Sequence, residues 1–257
     1  MKDLIIGCRG FVGSHLARYF PDSMLAGRKE ISELEGKSFG TIYCAAPQAK
    51  KWWANQNPED DMAEIQSLIE ACQRLMCVDR FVLISTIDVY DPPLNVNENS
   101  SLNPDSHPYG RHRYFLEQKI LSVFEEKTKI LRLPALVGSG LKKNIIFDLL
   151  NNNNIQLINP NSAFQWFNLS FLPDIIDYVE TLDPCEILNV ATEPVSTPQI
   201  LDRWFHNYKS QLDWDLRPIN YDVHTIFGLK GSSYLYSADE VLDMHLNPFI
   251  QSAVSNR

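Results

Sequence analysis

Ile6-Gly7-Cys8-Arg9-Gly10-Phe11-Val12-Gly13 places glycines three residues apart, after the apolar run Lys2 to Ile6 and before a stretch with Val12, Leu16, Ala17 and Phe20 at helical spacing. The order reads strand, tight loop, helix. In such a loop the first glycine can take a positive φ, the second lets backbone come close to a pyrophosphate, and the third allows a helix to press on a strand. The helix that follows offers free N–H groups and partial positive charge to phosphate oxygens. Gly7, Gly10 and Gly13, with Arg9, Phe11 and Val12 between them, are therefore expected to cradle a dinucleotide.

Outward from this loop the pattern alternates. Short apolar runs at 23–26, 41–46, 81–85, 130–133 and 187–190 read as strands, and 59–76, 109–124 and 173–181 read as helices. Phe81 to Ser85 is unbroken and apolar, as a strand covered on both faces requires. Only the 12 residues from Lys29 to Gly40 separate the second and third strands, so any helix there is short or missing. Alternation in this order specifies an α/β fold, a Rossmann-type doubly wound parallel sheet. Past Pro134 the pattern loosens: a helix from Asn144 to Leu150, a capping box at Ser196-Thr197-Pro198-Gln199, and glycines at 228 and 231 that suit either a flexible cover or a plain turn. The expected division is a dinucleotide-binding domain over 1–137 and a smaller substrate lobe over 138–257, with some of its elements returning to the sheet.

Composition narrows the partners. The chain has 257 residues, 44% of them hydrophobic and 21% charged, which supports a real core and excludes disorder. Its formal charge of -9 repels nucleic acid, and the basic pairs and triplets are scattered. No apolar run approaches the ~18 residues of a membrane span. The cysteines Cys8, Cys44, Cys72, Cys77 and Cys185 are odd in number and widely spaced, which points away from a disulfide framework or zinc cage and towards a reducing cytoplasm.

A carboxylate for the adenosine 2'-hydroxyl is expected about 20 residues beyond the glycine loop. Gly27-Arg28-Lys29 stands there instead. A guanidinium at Arg28, helped by Arg9, suits a 2'-phosphate, so NADP(H) is expected over NAD(H).

Three segments then line up: the glycine loop, Ile84-Ser85-Thr86-Ile87-Asp88-Val89-Tyr90, and Tyr109-Gly110-Arg111-His112-Arg113. Together they resemble the extended short-chain dehydrogenase/reductase family, which includes nucleotide-sugar epimerases, dehydratases and 4-keto-sugar reductases. The resemblance runs from residue 3 to about 200. It implies that Tyr109 exchanges a proton with a carbinol or carbonyl oxygen, that Thr86 holds the same oxygen, and that Ala45, Ala46, Ser85 and Pro134 lie beside the cofactor. A tyrosine near its ordinary value of ~10 is a poor base at neutral pH, so a cation one helical turn away is needed to favour the phenolate. The family's lysine at that place is Arg113 here. On the substrate side Asp88, Asn144 and Gln165 are candidates, each with a plainer alternative: a turn cap, a helix N-cap and a core position. Trp166 is expected in the core.

The reading is an NAD(P)-dependent oxidoreductase reducing a keto group on a sugar or nucleotide sugar. Its alternatives are an NAD-retaining epimerase or dehydratase, and a dinucleotide-binding sensor without catalysis, for which Arg113 is the best argument. The resemblance also implies a homodimer.

Overall fold

The computed structural model describes residues 1–182 and 186–255; Cys185 lies outside them. Two compact units are made from interleaved segments. Met1–Pro92, Ser100–Leu133 and Leu172–Leu188 form the first, and Pro93–Asn99, Pro134–Phe171 and Asn189–Arg257 form the second.

In the first unit β1 (Leu4–Ile6) pairs in parallel with β2 (Met24–Ala26) on one side and β3 (Ser38–Cys44) on the other. β4 (Met76–Thr86) continues in parallel beside β3, followed by the strand Thr128–Leu133. Ile187–Asn189 closes the far edge of this six-stranded sheet. Strand order thus reverses between β2 and β3, on either side of β1. Right-handed crossovers then put α1 (Phe11–Tyr19) on one face, with α3 (Pro58–Gln73) and α4 (Pro108–Phe124) on the other. Such a reversal opens a crevice at the carboxyl ends of the strands. The glycine loop follows β1 into that place, and Ala45 follows β3 into it.

The sheet holds because its middle strands are apolar on both faces. Leu4, Ile5, Ile6, Phe81, Val82 and Leu83 are fully buried, each large aliphatic side chain being worth about 1.5–3 kcal/mol. Phe81 stacks on Phe124 of α4 with ring centroids 4.3 Å apart.

Several boundaries differ from the sequence reading. β4 starts at Met76, five residues before the apolar run, because Met76 and Cys77 pair with Ser38 and Phe39. Met76 therefore belongs to a strand, and α3 stops at Gln73. The short link after β2 contains only a 3-10 turn, Arg28–Leu34. A helix absent from the reading, α2 (Lys51–Gln56), sits just before α3.

The second unit has its own core around Val137, Ile146, Leu149, Trp166, Ile200 and Leu246. Trp166 is buried there, as expected. The capping box is formed: Ser196 accepts the Gln199 N–H, and Gln199 accepts the Ser196 N–H, at the start of helix Thr197–Trp204. The segment from Gly228 is a tied turn. Leu229 N–H donates to the Tyr234 carbonyl at 3.1 Å, Thr225 N–H to the Ser233 carbonyl at 2.9 Å, and a Cβ at Gly228 would lie 1.9 Å from the Ser232 oxygen. Among the described residues no helix is long and apolar enough to cross a membrane.

Candidate active site

The glycine loop is tightest at Gly7 and Gly13 and less crowded at Gly10. Gly7 has φ +82° and a Cβ there would lie 2.5 Å from the Ala45 carbonyl oxygen; a Cβ at Gly13 would lie 2.1 Å from the Gly7 oxygen. These two glycines weld β1, the end of β3 and α1 together. At Gly10 the nearest atom to an added Cβ is the Gly7 oxygen at 3.2 Å, and the next is at 3.9 Å. Gly10 is the N-cap of α1 and no side chain caps that end. A residue without a Cβ beside uncapped helix N–H groups is the cradle a pyrophosphate needs, so the residues present fit a dinucleotide. Ala45 N–H donates to the Ile6 carbonyl at 2.9 Å, and Ala46 is buried in the sheet core.

At the end of β2 both arginines already hold carboxylates. Arg9 donates to Glu30 at 2.6 Å, and the other Glu30 oxygen accepts the Gly27 N–H at 2.7 Å. The Arg9 guanidinium lies across Gly27, where a Cβ would come within 1.9 Å of it. Arg28 donates to Glu64 of α3 at 2.7 Å.

Thr86 ends β4, and its hydroxyl oxygen accepts the Asp88 N–H at 3.1 Å. Tyr109 is the second residue of α4. Its side chain is buried and near enough to that of Thr86 for the hydroxyl to work against the rise of its pKa, and its N–H donates to Asn55 of α2 at 3.0 Å. Glycine is required next to it, because a Cβ at Gly110 would lie 2.3 Å from the Asp88 oxygen. The helix start and the turn after β4 thus meet backbone to backbone. The structure brings Thr86, Asp88 and Tyr109 together.

Arg113 sits one turn along α4, with its guanidinium 4.5 Å from the centre of the Tyr109 ring. Its charge is engaged elsewhere. It forms a two-pronged pair with Asp61 of α3, at 2.9 and 3.0 Å, and donates to the Gln48 carbonyl at 2.7 Å. His112 contacts the same Asp61 at 2.8 Å. Burial works to raise the Asp61 carboxyl, but Arg113 and then His112 outweigh it and hold it below its usual value. Tyr109 goes the other way. Burial pushes its phenol up to about 12; Arg113 opposes this, while Asp88 and Asp61 add to it. The expected cation thus stands over the ring, and it is paired with Asp61.

Ser85, at the end of β4, is tied into a buried network. It donates to Glu117, which is fully buried and accepts a forked pair from Arg132, with bonds from 2.6 to 3.2 Å; Arg132 also donates to the Tyr90 hydroxyl at 2.7 Å. This network ties α4 to the strand Thr128–Leu133 and to the turn after β4.

Pro134, Asn144 and Gln165 belong to the second unit. Pro134 is buried. Asn144 takes the N-cap role: its oxygen accepts the Phe147 N–H and its nitrogen donates to the Leu136 carbonyl, both at 2.9 Å. Gln165 is buried, with its nitrogen donating to the Thr192 and Val223 carbonyls and its oxygen accepting the Val223 N–H. Both amides are used up by backbone.

Sequence reading missed Lys51, Asn55, Asp61, Glu117 and Arg132. Arg132 carried a signal, a charge inside an otherwise apolar strand. Asp61 sat among three acidic residues of a first turn and looked like helix-dipole decoration.

A glycine cradle at the strand-order reversal and a Thr–Tyr pair beside it define a dinucleotide-dependent enzyme of the short-chain dehydrogenase type. The chain belongs to the NAD dependent epimerase/dehydratase family, whose model matches residues 24–181. No curated protein sequence matches it significantly. Among solved structures it is similar to dTDP-4-dehydrorhamnose reductase from Yersinia enterocolitica (14% identity, 98% of this chain and 99% of that one, TM-score 0.70). It is also similar to UDP-N-acetylglucosamine 4-epimerase from Methanobrevibacter ruminantium M1 (13%, 100% and 99%, 0.69). A third is RMD from Pseudomonas aeruginosa complexed with NADPH (15%, 92% and 89%, 0.65). At these identities the likeness is one of fold.

Proposed function

We propose that this chain reduces a keto group on a nucleotide-linked sugar, with Tyr109 as the proton donor and NADPH as the reductant. Bound in the glycine cradle, the dinucleotide supplies the hydride. Tyr109 gives its proton to the carbonyl oxygen, and Thr86 holds that oxygen in place. The observation that carries the choice of reduction is the burial of the Tyr109 phenol. Epimerases and dehydratases of this type begin by taking a proton from a substrate hydroxyl, which needs a phenolate. A reductase begins with a neutral phenol. Burial of Tyr109 outweighs the opposing charge of Arg113, so the phenol keeps its proton at neutral pH and is in the state to donate one, not to accept one.

NADPH is preferred on this reading because two guanidiniums, those of Arg9 and Arg28, stand at the end of β2. Glu30 and Glu64 hold these arginines now, and a 2'-phosphate would compete for them as a stronger, doubly charged acceptor.

The testing experiment is stoichiometric oxidation of NADPH in the presence of 4-keto nucleotide sugars, with both dinucleotides compared by calorimetry. One equivalent of NADPH consumed per sugar supports the reading. Sugar interconversion with no net NADPH loss means an epimerase, tighter binding of NADH reverses the cofactor choice, and binding with no turnover of any carbonyl leaves a sensor.

A further inference from the structure

Three elements of the first unit converge beside Tyr109: α2, the turn after β4, and the start of α4. The helix α2 carries two contacts to the site. Asn55 accepts the Tyr109 N–H, and Lys51 places its ammonium 2.8 Å from the Asp88 carboxylate. The Lys51 and Asp88 side chains are 39% and 19% exposed, so the pair is reachable from solvent, unlike the Arg113–Asp61 pair at 3% and 2%. Its position follows from topology: Lys51 comes shortly after the carboxyl end of β3 and Asp88 just after that of β4, on the edge of the sheet where ligands of this fold sit. His107, which begins α4 and accepts the Gly110 N–H at 3.1 Å, also feels Lys51; after burial, that charge helps to hold the imidazole below its usual value.

We propose that Lys51 is a positioning residue that fixes the Asp88 carboxylate as an acceptor for the substrate hydroxyl next to the carbonyl Tyr109 reduces. This rests on the reductase reading and deepens it by naming what is recognised: a sugar that carries a hydroxyl beside its keto group. An ammonium and a carboxylate side by side form a donor and an acceptor, the two things a sugar hydroxyl needs, since it both gives and takes a hydrogen bond. The Asp88 N–H bond to Thr86 fixes the backbone of the carboxylate's own residue relative to the oxygen-holding hydroxyl. Lys51 fixes its side chain. With its carboxylate committed to Lys51, Asp88 serves as an acceptor and not as a second acid.

The test compares dTDP-4-dehydrorhamnose with its 3-deoxy analogue as substrates for wild type, Lys51→Met and Lys51→Arg, each checked for NADPH affinity and melting temperature. Wild type is expected to lose about tenfold or more in kcat/KM when the hydroxyl is removed, within the range for one hydrogen bond to a charged group. Lys51→Met is expected to lose a similar factor on the hydroxylated sugar, mostly as KM, and little more on the analogue, with NADPH affinity unchanged. Lys51→Arg should retain most of the discrimination. Equal losses by Lys51→Met on both sugars, or none on either, overturn the proposal while leaving the reductase reading intact. A wild type that oxidises no NADPH with any keto nucleotide sugar overturns both.

Discussion

At Arg113 the chemistry turns on geometry rather than on charge alone. If only a positive charge were needed near Tyr109, lysine would serve as well. But the guanidinium makes three hydrogen bonds, two to Asp61 and one to Gln48, and stands over the tyrosine ring 4.5 Å from its centre. A lysine ammonium has neither the fork nor the planar face. Arg113→Lys is therefore expected to lower stability by about 1–3 kcal/mol and to reduce turnover, as read by urea unfolding and NADPH oxidation. A variant as stable and active as wild type would show that the fork is dispensable. The Arg113–Asp61 pair was not legible in the sequence, since its members are 52 residues apart and nothing local marks either as a partner.

Elements that depend on local spacing were legible, and those that depend on distant pairing were not. The glycine loop and the helix after it declare themselves within eight residues, because φ, close approach and helix start are all local demands. α2 is only six residues long and has no apolar stripe, so periodicity could not find it. The element-scale prediction for the loop follows from which glycine has room. Gly10→Val is expected to abolish dinucleotide binding while circular dichroism stays native, since an added Cβ there needs only a small give from the Gly7 oxygen at 3.2 Å and φ is -78°. Gly7 and Gly13 allow no such change. Retained binding by Gly10→Val would put the ligand elsewhere. On α4, Glu117→Gln removes one charge of a buried pair and leaves Arg132 uncompensated. A loss of about 3–5 kcal/mol in unfolding free energy is expected; a loss below 1 kcal/mol would contradict the view that this network braces the turn carrying Thr86.

For the molecule as a whole, acid stability should carry the mark of one buried histidine in the second unit. His245 is fully buried, ringed by Phe167, Phe171 and Tyr236 at 4.4–5.4 Å, and its Nδ1 accepts the Asn168 N–H at 2.9 Å. Burial lowers its pKa to about 4. The unfolded chain takes up a proton here below about pH 6.5, whereas the native state does not until about pH 4. Stability from this group is complete above pH 6.5 and falls as pH drops towards 4, by about 3 kcal/mol in all. Urea unfolding across that range should show the slope in wild type and lack this part of it in His245→Gln; identical slopes would mean that the imidazole is protonated in the fold. The doubly wound class was readable at this scale because five strands and their helices alternate in order. Elements of the C-terminal half returning to the sheet were expected from the sequence; the passage of Pro93–Asn99 into the second unit was not, since nothing in its composition marks it.

If Tyr109 donates a proton to a carbonyl in a chain that consumes NADPH, the rate of NADPH oxidation by wild type and Tyr109→Phe with a 4-keto nucleotide sugar reads that step. Loss of a general acid costs about 10²- to 10⁴-fold, so the phenylalanine variant should fall by that factor in kcat with NADPH affinity nearly unchanged. Equal rates for the two proteins would contradict the account.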